Sequence, residues 1–170
     1  MNSIADQVAG MLVRELTSLK AELEAYPAEA DIWRVVPGIS NSAGTLTLHL
    51  AGNLQHFVGA VLGGSGYVRN REAEFALRDI PRSDLLRLID TTVAVIQSST
   101  AALSSADLSA DYPEPVAKFR LNTADFLVHL ATHLAYHLGQ VDFHRRIVTG
   151  NGATVGTVAP GRLRSARPVE

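Results

Sequence analysis

NTADFLVHLATHLAYHLGQVDFHRRIVTG, residues 122–150, decides the fold. A helix turns about 100° per residue, so on a wheel with His133 at zero, His129 and His137 fall about 40° to either side. Gln140 and His144 fall inside that arc, at about 20° on either side of His133. Leu127, Leu130, Leu134, Leu138 and Val141 occupy the adjacent sector, between roughly 60° and 140°. The segment therefore reads as one long amphipathic helix, starting at Asn122 or Thr123 and ending at Gly150, with a stripe of imidazoles bordering its buried face. Arg145 falls in the buried sector near the helix end, where its stem can lie on the core and its head is expected to reach water.

Three more helical patterns precede it. From about Ser3 to Tyr26, Met11, Leu12, Leu16, Leu19, Leu23 and Tyr26 recur at three- and four-residue spacing, and Ser3 with Asp6 forms a capping-box pattern. Pro37-Gly38 reads as a turn, and the lone tryptophan, Trp33, is expected to pack at the end of the helices. A second helix runs from Asn41-Ser42 to about Leu62, stopped by Gly63-Gly64. A third starts at Pro81, with Leu85, Leu88, Ile89, Val93, Ile96 and Leu103 on its apolar face, and frays before Pro113 and Pro115. The stretch GGSGYVRNREAEFALRDI (63–80) lacks strand alternation and reads as a loop long enough to cross the length of a helix. Four helices without strands predict an all-α four-helix bundle, in up-down-down-up order with the long crossover between helices two and three. Residues 1–150 form the bundle domain in this reading and 151–170 an extended C-terminal tail.

Composition bounds the function. The 170 residues are 46% apolar and 19% charged, with a formal net charge of -2, which excludes disorder and gives no electrostatic case for nucleic acid or an anionic membrane. There is no cysteine, so no disulfide, thiolate metal site or cysteine nucleophile exists. The start MNSIADQVAG lacks a basic segment followed by an apolar run, and no apolar stretch reaches membrane-spanning length. A cytoplasmic domain is expected.

Helix two carries a matching stripe. With His49 at zero, Asn53 lies at about 40° and His56 at about -20°, while Leu46, Leu50, Leu54 and Phe57 supply the packing surface. A lone histidine beside an apolar face is more often a hydrogen-bonded core residue than a ligand. Two matched stripes are harder to explain that way, because clustered imidazoles need partners and repel when protonated. A bound cation removes both difficulties, since neutral imidazole is a good ligand for zinc, nickel or iron. His-x3-His on a helix sets two imidazoles on one side of an ion, and a third from another helix leaves positions open for water or substrate. His49, His133 and His137 are the preferred triad. His129 or His56 are alternatives as ligand, supporting partner or proton carrier, between which spacing does not choose.

Other familiar sites fit less well. HLAYH places Leu134 where a zincin has its glutamate base, and neither helix has the glutamates of a di-iron bundle site. No GxSxG elbow occurs, and GGSGY lacks the Lys-Ser/Thr of a phosphate loop.

The helix-two run TLTLHLAGNLQHFVGAVLGG, the long crossover after it and HLAYHLGQ in helix four resemble the DinB-like (YfiT-like, DNA-damage-inducible) family of metal-dependent proteins. The resemblance covers nearly all of residues 1–150 and is strongest over LHLAGNLQHFVGAVLGGSGYVRNREAEF, in an uncharacterised subgroup. It implies an up-down-down-up bundle, often a homodimer, and a divalent metal held by histidines at the positions of His49, His133 and His137. Characterised relatives include transferases and isomerases that use a low-molecular-weight thiol such as bacillithiol, mycothiol or glutathione. Many of them carry a basic residue after the second helix-four histidine; Leu138 stands there in this chain.

The expectation is a metal-dependent enzyme acting on a small molecule, a thiol-dependent transferase or a hydrolase, with zinc or nickel favoured and iron also suited. His56 or His129 would move protons. Arg69, Arg71, Asn53 and Gln140 are candidate substrate contacts, an arginine of the crossover suiting a carboxylate or phosphate. Glu74 is a candidate to orient an imidazole or an arginine. The competing expectation is a non-catalytic dimeric bundle, a binding or stress-response module with structural histidines.

Overall fold

A computed structural model of the chain describes residues 3–156, 159–163 and 165–169. Among these the named elements are all helical: α1 (Ile4–Glu24), a 3-10 turn (Glu29–Trp33), α2 (Ala43–Leu54) continuing as a π-helix (Gln55–Leu62), α3 (Arg71–Ala76), α4 (Arg82–Ala101), α5 (Ser105–Ser109), α6 (Thr123–Thr149) and a 3-10 turn (Pro160–Arg162). Four helices are long, counting α2 with its continuation as one, and they match the four periodic segments of the sequence.

Local chemistry sets their ends. Ser3 and Asp6 close a reciprocal capping box at α1. The Ser42 hydroxyl accepts from the Thr45 amide at α2, and Asn122 Oδ1 accepts from the Ala124 and Asp125 amides at α6. Gly150 ends α6 in the left-handed region, at φ 67°, where a Cβ would be strained. The crossover departs from expectation. It is not all loop, because Asn70 caps a short helix by accepting from the Ala73 amide, with Glu72 and Glu74 in its first turn. The expected fraying after α4 likewise contains α5, started by a Ser104–Asp107 capping box.

α1 lies against α4 and α6, and α2 lies against the same two. The C-terminal ends of α1 and α6 meet through Tyr26 and His144, 2.7 Å apart, and through Glu22 and Arg145. The C-terminal half of α1 meets the N-terminal half of α4 through Lys20 and Asp90, at 2.8 Å, and through Arg82 donating to the Tyr26 carbonyl at 2.6 Å. Gln55 donates to Thr92 at 3.2 Å, and Gly59 lies under Val95, joining α4 to the π segment. Leu12, Leu16, Leu19, Leu50, Leu54, Leu85, Ile89, Leu130, Leu134 and Val141 form the shared core. Leu138 belongs to that core too, so the residue following His137 packs inward.

Arg145 corrects the sequence reading. Its head does not reach water: the residue is fully buried, and its guanidinium donates to Glu22, to Asp142 and to the carbonyls of Asn151 and Ala153. Glu22 is buried with it. An ion pair this deep must be surrounded by partners, and residues 151–153 supply them. The segment after α6 therefore begins by folding back onto the helix, and Gly156 goes on to lie against the Ser18 backbone.

Candidate metal centre

α2 faces α6 with His49 opposite both His133 and His137. The ring centroids are 5.3 Å and 5.5 Å apart, and His133 and His137 are 4.6 Å apart, each pair nearly perpendicular. One ring nitrogen of each of the three lies within 4.8 Å of the others. His49 is buried, and the other two are half-buried.

The outer partners of the rings decide which nitrogens remain available. Glu74 Oε2 lies 3.0 Å from His49 Nδ1; a carboxylate accepts, so Nδ1 donates and Nε2 keeps its lone pair. Gln140 Oε1 accepts from His137 Nδ1 at 2.6 Å, which leaves Nε2 of that ring free in the same way. Burial holds the His133 imidazole down to about 4, assisted by the neighbouring His137, His49, His129 and Arg69 charges. Burial lowers His137 as well, against the opposing Gln140 hydrogen bond. Near neutral pH these rings are neutral, the form in which imidazole binds a metal. The donor set thus fits a divalent cation: three imidazole nitrogens from two helices, two of the rings braced from behind.

Glu74 is the keystone of the bracing. It is buried and accepts from Arg69 Nε at 2.7 Å and from Arg69 Nη2 at 2.9 Å. Burial alone would raise its carboxyl; the hydrogen bonds from Arg69 and His49, with their charges, more than offset this and hold it below the usual carboxylate range. Gly52, one turn after Glu74's partner His49 on α2, makes the room. A Cβ built there would overlap the Glu74 carboxylate. Gly52 went unnoticed in the sequence, because nothing local in LHLAGNL shows that α3 folds back onto α2.

The remaining candidates divide. Arg69 is engaged with Glu74, and its guanidinium also lies 5.5 Å from the Phe57 ring centroid. Arg71 is exposed and stacks over Phe75, 5.1 Å from centroid, while the Phe75 ring lies 5.0 Å from that of His49. His129 is exposed, between Phe126 at 5.8 Å and His133 at 6.1 Å, and lies outside the three-histidine group. His56 is turned to Glu114, 3.0 Å from Nε2, and is likewise outside the group. Asn53 is buried, and its Oδ1 has no hydrogen-bond partner.

His144, on the same stripe of α6, is a structural residue. The Arg34 carbonyl can only accept, so Nε2 donates to it at 2.7 Å, and Nδ1 accepts from the Tyr26 hydroxyl. Burial lowers this imidazole, against the opposing Arg34 carbonyl and Asp31.

The family model described as mycothiol-S-transferase matches residues 7–150. The chain belongs to the mycothiol S-transferase family. This is a DinB- and YfiT-like family, in agreement with the resemblance read from TLTLHLAGNLQHFVGAVLGG and HLAYHLGQ. Its match includes α2, the crossover and α6, and so takes in every residue of the histidine cluster and its bracing. No match was found among curated proteins. The family suggests a thiol-dependent transferase, which implies a small-molecule substrate. No helix among the described residues is long and apolar enough to cross a membrane.

Proposed function

We propose that the protein is a metal-dependent S-transferase in which His49, His133 and His137 hold a divalent metal, zinc or nickel in preference to iron. A low-molecular-weight thiol brought from solution is the nucleophile. The carrying observation is the convergence of the three ring nitrogens within 4.8 Å, with Glu74 and Gln140 turning Nε2 of His49 and His137 forward. A divalent ion at that point supplies Lewis acidity, which lowers the pKa of a thiol or a water near it. The family favours the thiol, hence transfer over hydrolysis. The chain has no cysteine, so the reacting sulfur has to come from the cofactor.

The protein's own residues would then do the following. Glu74 and Arg69 fix the plane of the His49 ring. His133 and His137 stay neutral because burial disfavours their protonation. In the transfer step the sulfur forms a bond to an electrophilic carbon, the leaving group departs with its electron pair, and the thiol proton passes to His129 and on to solvent. His129 suits that role, being exposed and 6.1 Å from the His133 ring centroid. His56, turned to Glu114, is a weaker candidate for proton transfer. Arg71, stacked at the outer edge of the His49–Phe75 wall, is the arginine available to meet an anionic group on the substrate, and Gln140 acts through His137.

An up-down-down-up four-helix bundle spanning residues 1–150 belongs to the same reading, with 151–170 as its tail. The paired ends of α1 and α6, the opposed ends of α1 and α4, and the opposition of His49 to His137 and of Phe57 to Phe126 support it. A cytoplasmic location and a homodimer belong to the same reading. The exposed Val128, Tyr136, Phe143 and Ile147 along α6 would form a face for a second copy.

Elemental analysis of tag-free protein tests the centre. One equivalent of metal per chain is expected. His133→Ala should lose it while the helical circular dichroism is retained. Unchanged metal content in that variant would remove the assigned ligand set, and metal-free wild-type protein with no melting shift on adding zinc or nickel would favour a non-catalytic module.

A further inference from the structure

A groove of about 570 Å³ lies between α1 and the last turns of α4. Asp6, Ala9, Val13 and Arg14 line it from α1, Ala101 from α4, and Arg162 from the 3-10 turn at Pro160–Arg162. None of the described residues that line it belongs to α2 or α6, the helices that carry the three histidines. Its α1 wall runs from Asp6 to Thr17, roughly 16 Å at about 1.5 Å of rise per residue. A space of this size suits a small molecule. The turn that carries Arg162 lies beyond residues 7–150, so this side of the groove is outside the family match.

The tail reaches the groove by passing along α1. Gly156, at φ 57°, lies so close to the Ser18 backbone that a Cβ would come 2.5 Å from its carbonyl oxygen, and Arg162 follows further toward the start of the helix. The charges that line the groove are unevenly matched. The Asp6 carboxylate accepts from the Ser3 amide and hydroxyl, each at 3.1 Å, at the positive end of α1. Arg14 donates from Nη2 to Glu15 Oε1 at 2.6 Å, yet its Nε is shielded from water and has no acceptor. A shielded donor without an acceptor is unfavourable, and native folds leave few of them. Arg162 is exposed, and its guanidinium has neither acceptor nor counter-ion among the described residues. Two guanidiniums from separate segments thus line one groove with donors to spare, while Ala9, Val13 and Ala101 give it apolar wall.

We propose that this groove is a second binding site, which takes a small amphipathic monocarboxylate. The guanidiniums of Arg162 and Arg14 hold the carboxylate, and the apolar chain lies along Ala9, Val13 and Ala101. A planar guanidinium fork matches a carboxylate in shape and charge. Charge selects a monoanion. Arg14 is already paired with Glu15, so Arg162 is the one cation to be balanced, and a dianion such as phosphate would be repelled by Asp6 and Glu15. On binding, the Nε edge of Arg14 turns to the ligand and gains the acceptor it lacks. The small side chains on both helices leave room for the chain, whose burial there removes apolar surface from water. The site uses neither the histidine centre nor a thiol, so it stands or falls independently of the proposed transfer reaction.

The test is calorimetric titration of the tag-free protein, as purified, with sodium octanoate, and with octan-1-ol and inorganic phosphate as comparison probes. One octanoate should bind per chain. It should shift the amide resonances of Val13 and Ala101 and leave those of His133 and His137 in place. Octan-1-ol lacks the charge and phosphate lacks the chain, so each should bind about ten-fold more weakly or worse. Arg162→Ala should weaken octanoate by about ten-fold, the effect of losing a charge-assisted hydrogen bond. Arg162 is exposed and bonds to no described side chain, so that variant should melt as wild type does. Ala101→Trp, at an exposed position in the wall, should fill the groove and abolish binding, again without a lower melting temperature. Octanoate affinity unchanged in either variant overturns the proposal, as does a failure to bind at millimolar concentration. Octan-1-ol or phosphate binding as tightly as octanoate overturns the assigned ligand class, and resonance shifts confined to the histidines would place the octanoate at the other site.

Discussion

Gly52→Ala is the substitution that best probes how the centre is held. On helix propensity alone it should stabilise α2, by about 1 kcal/mol. The structure predicts the opposite sign. A Cβ at residue 52 overlaps the Glu74 carboxylate, and Glu74 Cδ would lie 2.8 Å away, closer than real Cβ contacts come. The flexible end of Glu74 must therefore leave its seat. Doing so breaks two hydrogen bonds from Arg69 and one from His49. Hydrogen bonds to a charged group contribute about 1.5–3 kcal/mol each. Since Arg69 can follow the carboxylate part of the way, a gross loss of roughly 2–4 kcal/mol is reasonable against that figure. After the propensity gain, the net destabilisation is roughly 1–3 kcal/mol. For a chain of this size that lowers the melting temperature by very roughly 2–10 °C. Losing the partner of His49 Nδ1 should also weaken metal binding about 10- to 100-fold, the usual range when a partner behind a ligand is removed. Thermal melts and zinc competition against a chelator read the two effects separately. Gly139→Ala is the control: it lies inside α6 where a Cβ meets nothing, so it gains the propensity without the clash and should melt slightly higher. If Gly52→Ala melted no lower than wild type and held zinc equally well, Glu74 would have no part in holding His49.

Three further outcomes are expected. Arg145→Ala leaves Glu22 buried without its counter-ion and should destabilise by about 3–5 kcal/mol in urea titrations; Arg145→Ala with Glu22→Gln should recover part of this. His144 is held below the ordinary imidazole value of 6.5, so in acid the unfolded chain takes up a proton that the folded chain refuses. Stability from this group is complete above about pH 6.5 and falls as the pH drops below it; His144→Gln should flatten, though not abolish, the decline in urea midpoint between about pH 7.5 and 5, since His133 and His137 titrate in the same sense. Glu74→Gln should keep the side chain's shape but remove the charge facing Arg69, and a chelator competition should then register a loss of zinc affinity of about ten-fold or more.

The four long helices were legible because their signals are local: Leu12, Leu16, Leu19 and Leu23 at helical spacing, the Ser3–Asp6 box, and Asn122 and Gly150 at the two ends of α6. What the sequence hid is what depends on contact between distant segments. The π-helical continuation of α2 leaves no periodic mark in QHFVGAVL, and there Gly59 and Gly63 fit under Val95 and Ser99 of α4. The head of Arg145 was expected in water because its partners, Glu22 and the carbonyls of Asn151 and Ala153, come from α1 and from chain beyond the helix. The helix α3 is too short for a hydrophobic period, and only its Asn70 cap could have signalled it.

The histidine stripe shows why a helical wheel finds a centre and still over-counts its members. A wheel keeps angle and discards height. His129, His133, His137 and His144 share an arc of about 80°, yet at about 1.5 Å of rise per residue His129 lies some 12 Å along the axis from His137, and His144 lies some 10 Å beyond it. One ion can be shared by residues one turn apart and by a third facing them, and by no more. Height, together with the place where His49 faces α6, groups His133 and His137 with His49 and leaves the rest of the stripe outside that group. His144, at the far end, is taken by Tyr26 and the Arg34 carbonyl, and His56, seven residues from His49, is taken by Glu114. His129 is left at the exposed edge, its ring centroid 6.1 Å from that of His133, and outside the three-histidine group.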